Sequence, residues 1–333
     1  MKKITKMIKI TEFVDICKKT QFELKSWLYV WLKKYYEEVI SQDGFLYAKG
    51  TDNILLTAHM DTVHRKQCKT ASVKNRNGYT IISSNDGIGG DDRCGIWMIM
   101  QIVEKTKFRP SILFCEDEEI GGVGSDKFLM TKWSDDLFDL LFMIELDRAN
   151  GKDLVYYDDE NYKFHDFCKE ATGYKEAFGS FSDISNLCPS AMISGVNISC
   201  GYYKAHTVDE IVVWEEMENS IAITASLIKA GLERGEQFEY VRPTRNYYGY
   251  YGCDSWWKKY YENNDMATGT SYNDDEFNND EFKVLNNLTL VEFFDDKGAY
   301  YTVDATTFDE AVGKLMQQYP NLSWNKIIDW ECY

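Results

Sequence analysis

The chain of 333 residues is poor in proline and histidine, with four of each, and poor in basic side chains, with 37 Lys and Arg against 54 Asp and Glu. The resulting formal charge of −17 denies it the basic field that supplies most nucleic-acid affinity, and anionic membrane surfaces are disfavoured for the same reason. Neither nucleic acid nor membrane is therefore an expected partner. No run of about 18 apolar residues occurs, which excludes a spanning helix. The start, MKKITKMIKITEFVDICKK, has the lysines of a secretion signal, but charges interrupt it before an apolar stretch forms. No CxxC pair is present, and nine cysteines, an odd and scattered set, do not form a disulfide framework or a cysteine zinc site. Reduced thiols in the cytoplasm are the expectation.

What is present is enough apolar material for a large core: 44% hydrophobic and 15% aromatic residues, which excludes a disordered chain. Residues 11–40 space their apolar positions as one or two amphipathic helices. Short apolar runs then follow at 53–60, 79–83, 111–117 and 140–147, alternating with helical stretches at 92–106, 160–171 and 215–234. That alternation predicts an α/β fold of three layers, a mixed, largely parallel sheet flanked by helices. In such sheets function gathers at the carboxyl ends of strands.

After Gly235 the composition changes. Residues 246–261 hold eight aromatics, and 262–282 are acidic and polar without one Lys or Arg. The expected organisation is a catalytic domain at 1–235, an aromatic then acidic linker at 236–282, and a small C-terminal α+β unit at 283–333. That unit would be a hairpin from 284–294 and 299–305, then a helix over 306–319 opened by Thr307 and Glu310 at capping-box spacing. Residues 236–333 carry 18 acidic and 8 basic side chains, so −10 of the charge lies there. This acidic region is a candidate surface for a protein partner, while the aromatic run is expected to pack against the catalytic domain.

Four strand ends finish in groups of metal-ligand type. TAHMDTV sets His59 and Asp61 two apart, on one side of an extended segment, so Asp61 can take the hydrogen bond of the free imidazole N–H and fix its tautomer. NDGIGGDDRCG delivers Asp91 and Asp92 to a helix start, CEDEEIGG places Glu118 and Glu119 after an apolar strand, and FMIELDR ends near Asp147. His206 follows in KAHTVDE. The candidate ligands His59, Asp91, Glu119, Asp147 and His206 are separated by 32, 28, 28 and 59 residues, the first three gaps each about one strand-plus-helix repeat. Imidazole and carboxylate donors suit two zinc ions sharing one carboxylate, with Glu118 as the free carboxylate that takes a proton from water.

HMDTV, GGDDRCG, DEEIGG, LDR and AHTVDE, in this order over residues 50–235, resemble the co-catalytic zinc exopeptidases, the superfamily of peptidase T and the zinc aminopeptidases. The resemblance implies two Zn2+ ions (Co2+ or Mn2+ being alternatives), with His59 and Glu119 on separate ions, Asp91 bridging, Asp147 and His206 completing the two sites, Glu118 as general base and Asp61 orienting His59. It implies an aminopeptidase acting on short peptides. Many relatives insert a lid or dimerisation domain between the first two or last two ligands; these gaps are too short for either, so the catalytic domain should be undivided.

Other readings stay open at this level. The same site serves a carboxypeptidase or an amidohydrolase of N-acyl amino acids, and Arg93 or Arg148 would then hold a substrate carboxylate. A non-catalytic binding module on the same scaffold is the alternative of another class. Ser182 and Asp183 resemble a segment lining the substrate pocket, and Tyr202 or Tyr203 would donate to the oxyanion. Glu210 stands at capping-box spacing from Thr207, Asp92 reads as a helix-start residue, and His64 and His165 match no motif and are expected on the surface.

Overall fold

Two helices lead the chain, α1 (Lys2–Cys17) and α2 (Gln21–Leu32); the computed structural model describes residues 2–64, 66–243, 291–295, 300–303, 314, 318 and 327–332. Thr20 opens α2 as a capping box, its hydroxyl accepting from the Glu23 amide at 3.2 Å while the Glu23 carboxylate accepts from the Thr20 amide at 2.8 Å. The helical spacing runs past the true end because Tyr35 and Tyr36 prolong the aromatic pattern of Trp31. Residues Val39–Gln42 are instead strand β1, antiparallel to β2 (Phe45–Ala48).

The order continues with β3 (Asp52–His59), β4 (Ser72–Arg76), β5 (Tyr79–Ser83), α3 (Gly90–Lys105), β6 (Pro110–Cys115), α4 (Val123–Leu129), a 3-10 helix (Lys132–Asp139) and β7 (Phe142–Arg148). Then come β8 (Asp153–Val155), α5 (Tyr162–Thr172), β9 (Lys175–Glu176), α6 (Asp183–Ala191), β10 (Gly195–Ser199), β11 (Tyr202–Tyr203), β12 (Ile211–Val213) and α7 (Trp214–Arg234). The main sheet has eight strands in the order β1-β2-β6-β3-β7-β10-β8-β9. Its centre, β6-β3-β7-β10, is parallel throughout.

Strict alternation along the central strands divides the core. Ile54, Leu56, Ile112, Phe114, Phe142 and Ile144 face a cluster with α1, α2, α3, α5 and α7, while Leu55, Leu113, Cys115 and Met143 face one with α4, the 3-10 helix and α6. Both faces are buried, so the strands read as continuous apolar runs and the fold is the three-layer α/β arrangement expected. One detail differs. Between His59 and Asp91 the chain makes no helix but the antiparallel hairpin β4–β5, part of a second sheet ordered β11-β12-β5-β4.

Helix α7 ends at Gly235 (φ +61), yet the chain does not leave the core there. Phe238 and Tyr240 are buried, the Phe238 amide donates to the Leu141 carbonyl at 2.8 Å, and Glu239 bridges to Ile193. The first compact unit accordingly spans Met1–Arg245, past the boundary expected at 235.

The second unit, Asn246–Tyr333, contains β13 (Val291–Asp295), β14 (Tyr300–Val303) and β15 (Ile327–Cys332) as an antiparallel sheet in the order β14-β13-β15. The expected hairpin pairs Val291 with Val303, and β15 adds a strand that composition did not signal. Lys314 and Gln318 are helical; the rest of the expected helix and the stretch 246–282 lie outside the described residues.

Candidate metal centre

Parallel pairing brings the candidate ligands to one edge. His59 ends β3, which lies between β6 and β7, so the residues after β6 and the end of β7 emerge beside it. Helix α3 joins them by close approach: a Cβ on Gly95 would lie 1.7 Å from the Leu146 carbonyl oxygen, so only glycine lets this helix press against β7. Asp91 and Asp92 sit at a kink at its start with non-helical backbone and a cis peptide between them. Asp92 is buried and does more than start the helix, accepting from the Gly95 amide at 3.0 Å and, across the layers, from the His59 amide at 3.1 Å. His206, in the loop after β11, holds φ +63, a left-handed conformation uncommon outside glycine.

The two oxygens of Asp91 face different histidines. Oδ1 lies 3.0 Å from His59 Nε2, which is 3.4 Å from Asp147 Oδ1. Oδ2 lies 3.2 Å from His206 Nε2, which is 3.1 Å from Glu119 Oε2. Two triads result, His59–Asp91–Asp147 and Asp91–Glu119–His206, each with donor atoms within 4.8 Å of one another, and Glu118 and Glu119 form a third such group with His59. Glu119 Oε1 is buried without a hydrogen-bond partner among the described residues.

Asp61 ties the two loops together. The His59 Nδ1–H donates to its Oδ1 at 3.0 Å, and the amides of Glu118 and Glu119 donate to Oδ1 and Oδ2 at 3.1 Å each. Burial raises its proton affinity, but His59 and the two amides outweigh this and hold the carboxyl below its usual range.

Elsewhere burial wins. Glu118 is pushed up to about 10 by desolvation and by the charges of Asp147, Asp183 and Glu119, against the opposing pull of His59. Asp147 is pushed up to about 7 by burial and Asp91, opposed by His59 and Ser182. His206 rises to about 11 because Asp91 and Glu119 accept its hydrogen bonds, and burial only partly offsets them. In His59 burial disfavours the charge, yet Asp147 and Asp61 raise it well above the ordinary imidazole value. The site thus gathers more negative charge than its two imidazoles balance, and the protons it holds sit where cations would compete for them.

Supporting residues surround this cluster. Ser182 and Asp183 are both 0% exposed. Ser182 Oγ donates to Asp147 Oδ2 at 2.9 Å and the Asp183 amide donates to Glu145 Oε1 at 3.1 Å. Tyr202 is buried and its hydroxyl donates to the Asp147 carbonyl at 2.9 Å, and Tyr203 donates to Glu216 at 2.6 Å. Arg148 contacts Asp153 at 3.5 Å.

Arg93 is fully buried and donates to the carbonyls of Met60 at 2.5 Å and of Asp61 and Lys19 at 3.2 Å each. It braces the His59–Asp61 segment and cannot reach a substrate. His165 is buried and stacked on Tyr156 at 3.7 Å, not on the surface. His64 is also tucked in, 3.0 Å from Glu210. Glu210, wholly buried, closes a turn with Thr207 through its backbone amide at 3.2 Å, while its side chain accepts from the Gly89 and Asp91 amides at 2.8 and 3.0 Å. Two of its partners are backbone amides, which no side-chain spacing displays.

The three layers and the parallel centre form an α/β fold shared with solved peptidase structures. No protein-family model matches the chain, and no curated protein matches it either. Among solved structures it is similar to the aminopeptidase PepT of Bacillus cereus at 15% identity, over 67% of this chain and 98% of that one, with a TM-score of 0.54. A tripeptidase of Staphylococcus aureus matches at 12% identity over 68% of this chain and 98% of that one, TM-score 0.54. A TET aminopeptidase from a marine sediment archaeon matches at 13% over 70% and 99%, TM-score 0.51.

Proposed function

We propose that the chain is a metallo-exopeptidase holding two zinc ions and removing residues from the amino end of short peptides. The observation that carries this reading is Asp91, whose two oxygens each stand beside a different histidine, with Asp147 completing one group and Glu119 the other. Nitrogen and oxygen donors of this kind fit zinc, and Co2+ or Mn2+ by the same chemistry. The partnerless Glu119 Oε1 and the excess of carboxylates fit cations as well. When bound, such a pair of ions supplies an acidified water and Lewis-acid stabilisation of the oxygen that becomes charged.

The protein's own part falls to a few groups. Glu118 is buried beside the triads and tied to none of them by a side-chain hydrogen bond among the described residues, so its carboxylate is free to take the water's proton and return it to the leaving amine. Burial and the neighbouring carboxylates raise its proton affinity, and nearby cations would lower it again to free the carboxylate as a base. Asp61 holds His59 in one tautomer and fixes the backbone that carries Glu118.

The amino end is favoured because Arg93 is spent on carbonyl oxygens, which removes one of the two groups suited to a substrate carboxylate. Aminopeptidase and tripeptidase activities of the structurally similar proteins point the same way. Arg148, beside Asp147 and only loosely paired, supports the second reading, a carboxypeptidase or N-acyl amino acid hydrolase. Cytoplasmic residence is supported by seven free, buried cysteines among the described residues.

Metal analysis with a panel of free and N-blocked dipeptides tests the set. Two ions with cleavage of free amino ends is the expected result; cleavage of blocked substrates alone would transfer the assignment to the second reading, and two ions without turnover to a binding module. Glu118→Gln should keep both ions and lose about 10²–10⁴-fold in kcat, whereas undiminished turnover would remove Glu118 from its role.

A further inference from the structure

We propose that His64 and Glu210 form a positioning clamp that sets the Asp91 carboxylate between its two histidines, and that His64 is required for high metal affinity although it is no ligand. The proposal rests on the dinuclear reading of the site. Three ligand-bearing segments converge on Glu210. Its Oε1 accepts from the amide of Asp91 itself at 3.0 Å, and its Oε2 accepts from the Gly89 amide at 2.8 Å. His64 Nε2 lies 3.0 Å from that same Oε2. Glu210 is four residues beyond His206, and His64 five beyond His59.

The imidazole has a defined seat. A Cβ on Gly87 would fall 2.3–2.6 Å from three of its ring atoms, so the ring fills space that any side chain at 87 would need, and Gly87 holds φ +85. The His64 amide donates to Thr62 Oγ1 at 3.1 Å, which fixes the segment behind it. The ring thus covers a carboxylate that has no solvent exposure of its own and steadies the lone pairs that hold the Gly89 and Asp91 amides. A bridging ligand must keep both oxygens aimed within tenths of an ångström, and its backbone amide is the nearest point at which that aim can be set.

A clamp that only satisfies buried amides would affect folding and leave metal binding alone. The test therefore reads metal directly. Full-length wild-type protein, His64→Ala and His64→Gln are stripped with chelator and titrated with Zn2+ by competition, and with Co2+ to record the visible ligand-field spectrum; the thermal midpoint of each stripped protein is measured alongside. Expected are about 10-fold or greater weakening of at least one ion in His64→Ala, an altered Co2+ spectrum, and recovery of both in His64→Gln, whose amide N–H can still donate to Glu210. Wild-type affinity and spectrum in His64→Ala would overturn the clamp while leaving the dinuclear reading intact, and so would a lowered stripped midpoint without any metal effect. Wild-type protein that takes up no ion would overturn both.

Discussion

A buried carboxylate is costly unless something offsets its charge, and around Asp91 the offset is shared among two imidazoles and several protons. The consequence is a dependence on pH that differs between the stripped and the metal-loaded protein. Asp147 moves from 3.8 to about 7 and Glu118 from 4.5 to about 10. Groups raised on folding stabilise fully below their unfolded values and lose that contribution as pH rises through the folded ones. His206, raised from 6.5 to about 11, acts in the same direction. The chelator-stripped protein should therefore lose thermal stability between about pH 5.5 and 8, while the loaded protein, whose ligands must be deprotonated, gains metal affinity over that range. Midpoints recorded at both ends of the range check this, and a gap between stripped and loaded protein that does not widen contradicts it. The candidate ligands that the fold brings together were legible in the sequence because they come as paired polar groups at the ends of apolar runs. Glu210, Asp92 and Arg93 were not, since most of what they hold is main chain.

Among the elements, β3, β5, β6 and β7 were readable, whereas β2 and β10, short although buried at every residue, and the exposed or two-residue strands were not. Strands β3, β6 and β7 appear as unbroken apolar runs, while every residue of β4 is exposed and β9 and β11 have two residues each, too short to carry a period. The hairpin in place of a helix between His59 and Asp91 follows from this, because a gap length alone does not distinguish a crossover from a detour into another sheet. The contact between α3 and β7 was equally hidden, although it sets the distance from Asp91 to Asp147. Gly95→Ala would drive a methyl group into the Leu146 carbonyl and the Asp92 carboxylate. A loss of about 1–3 kcal/mol in denaturant unfolding is expected, together with weakened metal binding; a variant of unchanged stability would show that the helix can move away freely.

At the scale of the whole chain, two units are legible from composition, but the place where the first one closes is not. Gly235 ends a helix with the sequence signature of a terminus, and only the burial of Phe238 and Tyr240 reveals that the core still needs the residues beyond it. A chain ending at Arg245 should therefore fold cooperatively and bind metal as the full chain does, whereas one ending at Gly235 should lose stability through the two buried rings, each side chain worth about 1.5–3 kcal/mol of burial. Thermal melts of the two truncations decide it, and equal melting would return the boundary to 235.

The carboxylate of Asp61 answers simultaneously to an imidazole and to two consecutive amides on another strand's loop. A change there disturbs the orientation of His59 and the placement of Glu118 and Glu119 together, so its effects are inseparable from those of substitutions at any of the three. HMDTV and DEEIGG are thereby joined through one carboxylate into a single mechanical unit, although 57 residues separate Asp61 from Glu118.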